Sequence, residues 1–326
     1  MKIKKLLAMA LVGAVTASAL AGCSGNTKTS GEKVYKIGIC QLVQHDALDA
    51  ATKGFQDKLT ELLGEGNVEF DMQNAAGDSA TCSTIVNQFV SAGDDLIFAN
   101  ATASLQAASS ATADIPVVGT SITDYATALD IDEWTGTTGR NITGTSDLAP
   151  LAEQAAMFKE LLPDAKNIGL IYCSSEPNSK YQVDIVSEEL KTLGYETAMY
   201  PFADSNDVSA VVTTACDTSD ALYIPTDNTA AANTEIIANI ANPAKIPVIA
   251  GEEGICKGCG IATLSISYKS IGEVAAQMAY EILVNGADPA AMEIKYAENL
   301  TKKYVASRAE NLEITIPEGY EELVIE

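Results

Sequence analysis

From Tyr35 onward this chain alternates short apolar runs with stretches of helical periodicity, and the whole alternation occurs twice. Ile37-Gly38-Ile39 returns as Ile168-Gly169-Leu170, Asp95-Leu96-Ile97-Phe98 as Asp220-Ala221-Leu222-Tyr223, and Ile115-Pro116-Val117-Val118 as Ile246-Pro247-Val248-Ile249, at offsets of 131, 125 and 131 residues. Any one pair is a chance match of apolar strands. Three in order at a nearly constant offset predict two copies of one α/β design. Uninterrupted apolar runs mark strands buried on both faces, hence parallel sheets covered by helices. Such runs lie at 35–40, 68–70, 96–98, 117–118, 168–172, 196–200, 221–224 and 248–250.

The intervening segments read as helices. Leu48, Ala51, Phe55, Leu59 and Leu62 recur at three- and four-residue spacing, with Asp46 placed to cap. Cys82, Ile85, Val86 and Phe89 precede Gly93, and Ile185, Val186, Leu190 and Leu193 precede Gly194, each glycine standing where a helix stops. The two halves are expected to meet near Asp164 to Asn167, after a helix that Pro163 ends. A later helix on Ile271, Val274, Met278 and Ile282 is expected to return to the first half. The expected division is 34–165 plus about 268–290 as the first lobe, and 166–267 plus about 291–326 as the second.

A length of 326 residues allows two domains with their own cores. With 44 acidic against 20 basic residues the formal charge is −24, which repels phosphate backbones and argues against a nucleic-acid partner. One histidine and two arginines, Arg140 and Arg308, exclude sites needing two histidines or an arginine cluster, and neither a metal nor a cofactor is expected.

The first residues read as an address. Lys2, Lys4 and Lys5 precede an uncharged, mostly apolar stretch, followed by Leu20-Ala21-Gly22-Cys23. That register looks like a bacterial lipobox, with residues 1–22 a signal peptide and Cys23 the acylated mature N-terminus; an ordinary signal peptide is the alternative. Residues 23–33 are small and polar, as in a flexible tether. Acyl chains would hold the chain at a membrane surface. Of the remaining cysteines, Cys40, Cys82, Cys173 and Cys216 read as buried small hydrophobes. Cys256-Lys257-Gly258-Cys259 reads as a loop whose thiols form a local disulfide, with a redox role as the lesser option.

In open parallel sheets ligands bind beyond the carboxyl ends of the strands. The loops there are 41–46, 100–104 and 120–125 in the first half and 174–179, 226–229 and 251–254 in the second, a set rich in hydroxyls and amides. His45 with Asp46 permits an acid–base reading, yet the chain has no GxSxG elbow, P-loop or GxGxxG, and a binding role is preferred. Ser174, Ser175 and Asn178 serve either as helix caps or as ligands to a carboxylate. Asp227 and Asn228 form a turn or orient an ammonium.

The stretches QLVQHDALDAATKGF (41–55), NAAGD (74–78), NITGTSDLAPLAEQ (141–154), YCSSEPNS (172–179) and PTDNT (225–229) form an ordered set. The chain resembles bacterial ABC-transporter substrate-binding lipoproteins of the type I periplasmic-binding-protein fold, in the branch associated with tryptophan and other aromatic amino acids. The resemblance implies two Rossmann-like lobes with parallel sheets and a hinge. It implies a monomeric, non-enzymatic receptor that delivers a small-molecule ligand to a permease with ATPase subunits. Gln41, His45, Thr102 and Ser121 would line the cleft from the first lobe, and Ser174, Ser175, Asn178, Asp227 and Asn228 from the second. Asp227 or Glu252 would pair with the ligand ammonium. Tyr125 stands where relatives often carry proline, and would either stack on an aromatic ligand or narrow the pocket. Two other classes stay open at this point: a lipid-anchored hydrolase using His45, and a sensory binding lipoprotein without a transporter.

Overall fold

The computed structural model describes residues 33–325. The signal peptide, the lipobox with Cys23 and nearly all of the tether lie outside the described residues. Thirteen strands are present among the described residues: β1 (Tyr35–Gln41), β2 (Val68–Asn74), β3 (Leu96–Asn100), β4 (Val117–Ile122), β5 (Ile142–Ser146), β6 (Asn167–Cys173), β7 (Glu196–Phe202), β8 (Ala221–Ile224), β9 (Val248–Ala250), β10 (Ala262–Ser265), β11 (Lys295–Tyr296), β12 (Thr301–Tyr304) and β13 (Glu321–Glu322). They form two sheets, ordered β11-β5-β4-β3-β1-β2 and β13-β12-β10-β9-β8-β6-β7. The first five strands of each half adopt the same order, and all of their pairings are parallel. Only β10 and β12 pair antiparallel among the described residues.

Each of the eight apolar runs lies within a strand. Five strands have no counterpart among those runs, and two of them, β5 and β10, belong to the order that the halves share. Their sequences, Ile-Thr-Gly-Thr-Ser and Ala-Thr-Leu-Ser, carry buried hydroxyls in place of aliphatic side chains. The Thr145 hydroxyl meets Thr120 at 2.9 Å, and Thr143 donates to the Met292 carbonyl, so burial leaves neither unpaired.

Strand alternation sends successive side chains to opposite faces. In β3, Leu96 and Phe98 join a core with Phe55, Leu59 and the small residues Ala275, Ala276 and Ala279, while Ile97 and Ala99 join another with Ile85, Val86, Phe89 and Leu105. Phe55 stacks on Phe98 with centroids 3.8 Å apart. The Ser79–Ala92 helix shows how local sequence sets an element's limits: the Asp78 carboxylate accepts the Thr81 N–H, and Gly93 takes the left-handed conformation (φ 69°) that closes the last turn.

The helices Asp46–Leu63 and Tyr268–Asn285 cross with their backbones almost touching. A Cβ on Gly54 would lie 2.3 Å from the Lys269 carbonyl oxygen, and one on Gly272 would lie 2.1 Å from that of Ala51. This contact ties the late helix to the first sheet. The sheet memberships nevertheless differ from the expected division in two respects. The Leu151–Leu161 helix packs into the second sheet's core with Leu170, Tyr172 and Leu264, so the chain leaves the first sheet at Ser146, not near 165. Lys295–Tyr296 pairs with β5, which places that pair of residues on the first sheet and not the second. Three segments therefore cross between sheets: 147–150, 266–267 and 297–300.

Candidate functional site

The carboxyl ends of both sheets face one another, and the loops there enclose a space lined by His45, Leu48, Ser121, Thr123, Asp147, Asn178, Thr226, Asp227, Asn228, Ala231, Glu252 and Tyr268. Its volume is about 10 Å³, room for one water molecule. Side chains touch across it. His45 Nε2 lies 3.3 Å from Asn228 Oδ1, and Gln182 Nε2 reaches Thr123 Oγ1 at 3.4 Å. The two sheets are thus drawn together, and any solute larger than water enters only when they part.

Two atoms lining this space are buried without a hydrogen-bond partner: His45 Nδ1 and Ser121 Oγ. With Nε2 donating to Asn228, Nδ1 is an acceptor facing inward. Burial lowers the His45 pKa and keeps the ring neutral. Ser121 holds a left-handed backbone (φ 55°) where the β4–β5 register shifts, a strained conformation for a residue with a side chain. Unsatisfied buried polar atoms and local strain are both costly, and they coincide here.

The space is also acidic. Burial raises Asp147 to about 6, although Thr123 and Tyr268 hydroxyls donate to it at 3.1 and 2.9 Å. Glu252 rises to about 7, chiefly through burial. Burial and the nearby charge of Glu176 push Asp227 up as well. No lysine or arginine among the described residues pairs with any of these four carboxylates. A region so poor in cations is electrostatically suited to a ligand ammonium.

The residues expected from the sequence divide into three groups. His45, Ser121, Asn178, Asp227, Asn228 and Glu252 surround the enclosed space. Ser174 and Ser175 are exposed and donate to the Phe202 and Ala203 carbonyls; Ser175 lines a separate groove of about 390 Å³ at the rim with Leu42 and Gly77. Gln41, Thr102 and Tyr125 point elsewhere. The Gln41 amide is consumed within its own lobe by Val43, Asp49 and Thr52. Thr102 is buried in the first turn of its helix and does not line the space. Tyr125 is 2% exposed, its ring in the first core and its hydroxyl on the Thr145 carbonyl, and it does not line the enclosed space. Gly119 and Gly144 leave it that room, since a Cβ on either would meet the Tyr125 hydroxyl at about 2.5 Å. Cys256 and Cys259 are free thiols buried along the Glu253–Gly258 helix and its cap, not a disulfide-bonded loop. Asp147, Thr123, Thr226, Glu176 and Tyr268 were not singled out by sequence reasoning. The first follows a threonine-serine pair that reads as an ordinary turn, and Tyr268 reaches the site only through the crossover at 266–267.

Residues 36–323 match the family model for ABC transporter substrate-binding proteins. The chain belongs to that family. It is 38% identical over 293 residues to a tyrosine-binding protein of Clostridioides difficile, covering 86% of this chain and 85% of the relative. It superimposes on a Streptococcus pneumonia ABC domain in complex with L-Trp with a TM-score of 0.86, at 31% identity, over 90% of this chain and 100% of that one. The ligand-free, open structure of a Clostridium difficile substrate-binding protein with adhesive properties gives a TM-score of 0.69 at 35% identity, over 90% and 100% of the two chains. The more similar sequence is thus the less similar structure. Proteins of this family work outside the cytoplasm with a permease and ATPase subunits. Among the described residues no helix is long and apolar enough to cross a membrane.

Proposed function

We propose that this family member is the lipid-anchored receptor of an importer for an aromatic amino acid, tyrosine or tryptophan, which it captures by closing two lobes about a hinge. The observation that carries the reading is the enclosed space itself, where unpartnered His45 Nδ1 and Ser121 Oγ face an unpaired set of carboxylates. Those groups complement the hydrogen-bonding ends of an amino acid, while Leu48 and the Tyr268 ring supply apolar wall. The tyrosine- and tryptophan-binding relatives support the aromatic side chain. The enclosed volume requires the lobes to open for entry, and the three crossovers at 147–150, 266–267 and 297–300 are the hinge in this reading.

A soluble form lacking residues 1–23, screened by thermal shift against amino acids, sugars and nucleosides, is expected to respond to tyrosine or tryptophan. A ligand at 100 times its Kd adds about 2.7 kcal/mol, a rise of roughly 5 °C or more for a domain of this size. Stabilisation by sugars or nucleosides alone would remove the aromatic assignment. The anchor is tested separately. Cys23→Ala in the full-length chain is expected to shift the protein from the membrane fraction to the soluble fraction; unchanged membrane association would sink the lipidation reading.

A further inference from the structure

Three carboxylates line the closed space and a fourth, Glu176, is bonded to the lining residues Asn178 and Asn228; their hydrogen bonds distinguish them. Asp227 caps a helix: one oxygen accepts the Ala230 N–H at 2.8 Å and the other the Cys173 N–H at 2.6 Å. Glu252 does the same for the Glu253–Gly258 helix, accepting the Gly254 and Ile255 N–H groups. Glu176 is filled by the backbone N–H groups and side chains of Asn228 and Thr229 and by the Asn178 amide. Each of these three is fixed by backbone donors, and its charge is already spent on peptide dipoles of its own lobe.

Asp147 is different. Its side-chain partners are two neutral hydroxyls, Thr123 on Oδ1 and Tyr268 on Oδ2, which leave lone pairs free. It is 4% exposed, and it lines the enclosed space. Its position in the chain matters equally. Asp147 begins the crossover at 147–150, and Tyr268 follows the crossover at 266–267, so their 2.9 Å bond joins two of the three connections between the lobes.

We propose that Asp147 receives the ammonium of the captured amino acid, and that Tyr268 positions it by tying two crossovers together at the wall of the cleft. This rests on the amino-acid reading above and replaces the expectation that Asp227 or Glu252 plays that part. The ammonium supplies the counter-charge that the protein withholds from Asp147. Because the carboxylate sits on a crossover, capture is felt at the hinge.

The test compares L-tryptophan with indole-3-propionate, and L-tyrosine with 3-(4-hydroxyphenyl)propionate, by isothermal titration calorimetry on the soluble domain. Each second ligand keeps the ring and carboxylate and lacks the ammonium. Asp147→Asn is expected to weaken binding of the amino acid roughly 100-fold, the scale of losing one partner of a buried charge pair, and to leave its desamino analogue within about threefold. Equal losses for both ligands would show a merely structural role and overturn the proposal. So would a collapse of the amino-acid preference in Asp227→Asn or Glu252→Gln with its retention in Asp147→Asn. A wild-type domain that binds neither amino acid overturns the aromatic reading itself, a failure visible before any variant is made.

If Asp147→Asn does not fold, Tyr268→Phe carries the test. Removing that hydroxyl leaves Asp147 holding its proton to higher pH, with Glu252 facing Tyr268 from the second lobe unchanged. L-Tryptophan affinity is then expected to fall off on acidification at a higher pH than in wild type. A superimposable pH profile would overturn the proposal.

Discussion

Gly272→Ala is expected to destabilise the domain by roughly 3 kcal/mol, the upper end of the overpacking range, and to lower Tm by about 6 °C or more. The added methyl would sit 2.1 Å from the Ala51 carbonyl oxygen. A flexible side chain could yield to it, but this neighbour is the backbone of another helix. Relief requires the Tyr268–Asn285 helix to move bodily away from the Asp46–Leu63 helix, opening the contacts among Phe55, Leu59, Ala275 and Ala279 behind it. Gly286→Ala is the control: Gly286 has φ 70° with nothing near its missing Cβ, and there the expected cost is only about 1 kcal/mol of backbone strain. The two helices also deliver His45 and Tyr268 to the cleft from their N-terminal ends. Any increase in their spacing therefore displaces both, and Gly272→Ala is expected to weaken ligand binding along with stability. Denaturant unfolding of the two variants checks the prediction, and equal losses for both would show that helix contact is not what Gly272 provides.

That crossing was only partly legible in the sequence. The periodicity of Leu48, Ala51, Phe55 and Leu59 announced a helix, yet its closest contacts are made by Gly54, which carries no hydrophobic signal, and by the Ala51 backbone carbonyl. The strands tell a similar story. Aliphatic runs reveal a strand buried on both faces, and they located eight. β5 and β10 are equally buried but carry threonine and serine hydroxyls, which β5 pairs internally, and polar sequence of that kind reads as loop. At the site, the rule that ligands lie beyond carboxyl strand ends brought six candidate residues to one enclosed space. It misjudged Tyr125, which follows β4 at the right place but turns into the core because Gly119 and Gly144 make a hole for it. It overlooked Asp147 and Tyr268 because their meeting depends on how the chain crosses between sheets, a long-range fact with no local pattern.

The buried carboxylates set the second large effect, a stability that rises on acidification. Asp147 moves from 3.8 to about 6 and Glu252 from 4.5 to about 7 in the folded domain, and Asp227 also moves up. Between the ordinary and the raised values the folded state binds more protons than the unfolded chain, so lowering the pH favours folding there. Above the raised values the ionised groups impose their full penalty, roughly 3 kcal/mol at most for Asp147 or Glu252. His45 opposes them. Its pKa is depressed below 6.5 by burial, so the folded state prefers the neutral ring and loses stability as pH falls below that value. Three carboxylates against one imidazole give a net rise in Tm for the ligand-free domain from pH 8 down to about 5, flattened in Glu252→Gln and Asp147→Asn. The same burial exists only while the lobes are together, so alkaline conditions favour their parting. An amino-acid ligand inverts the relation at Asp147, because its ammonium needs the ionised carboxylate that the empty cleft disfavours. Affinity for L-tryptophan is therefore expected to fall over the acid range in which ligand-free stability climbs. Thermal melts across pH 5–8 with and without the ligand measure both slopes together, and a ligand-free Tm that falls on acidification would mean that His45, not the carboxylates, governs the closed cleft.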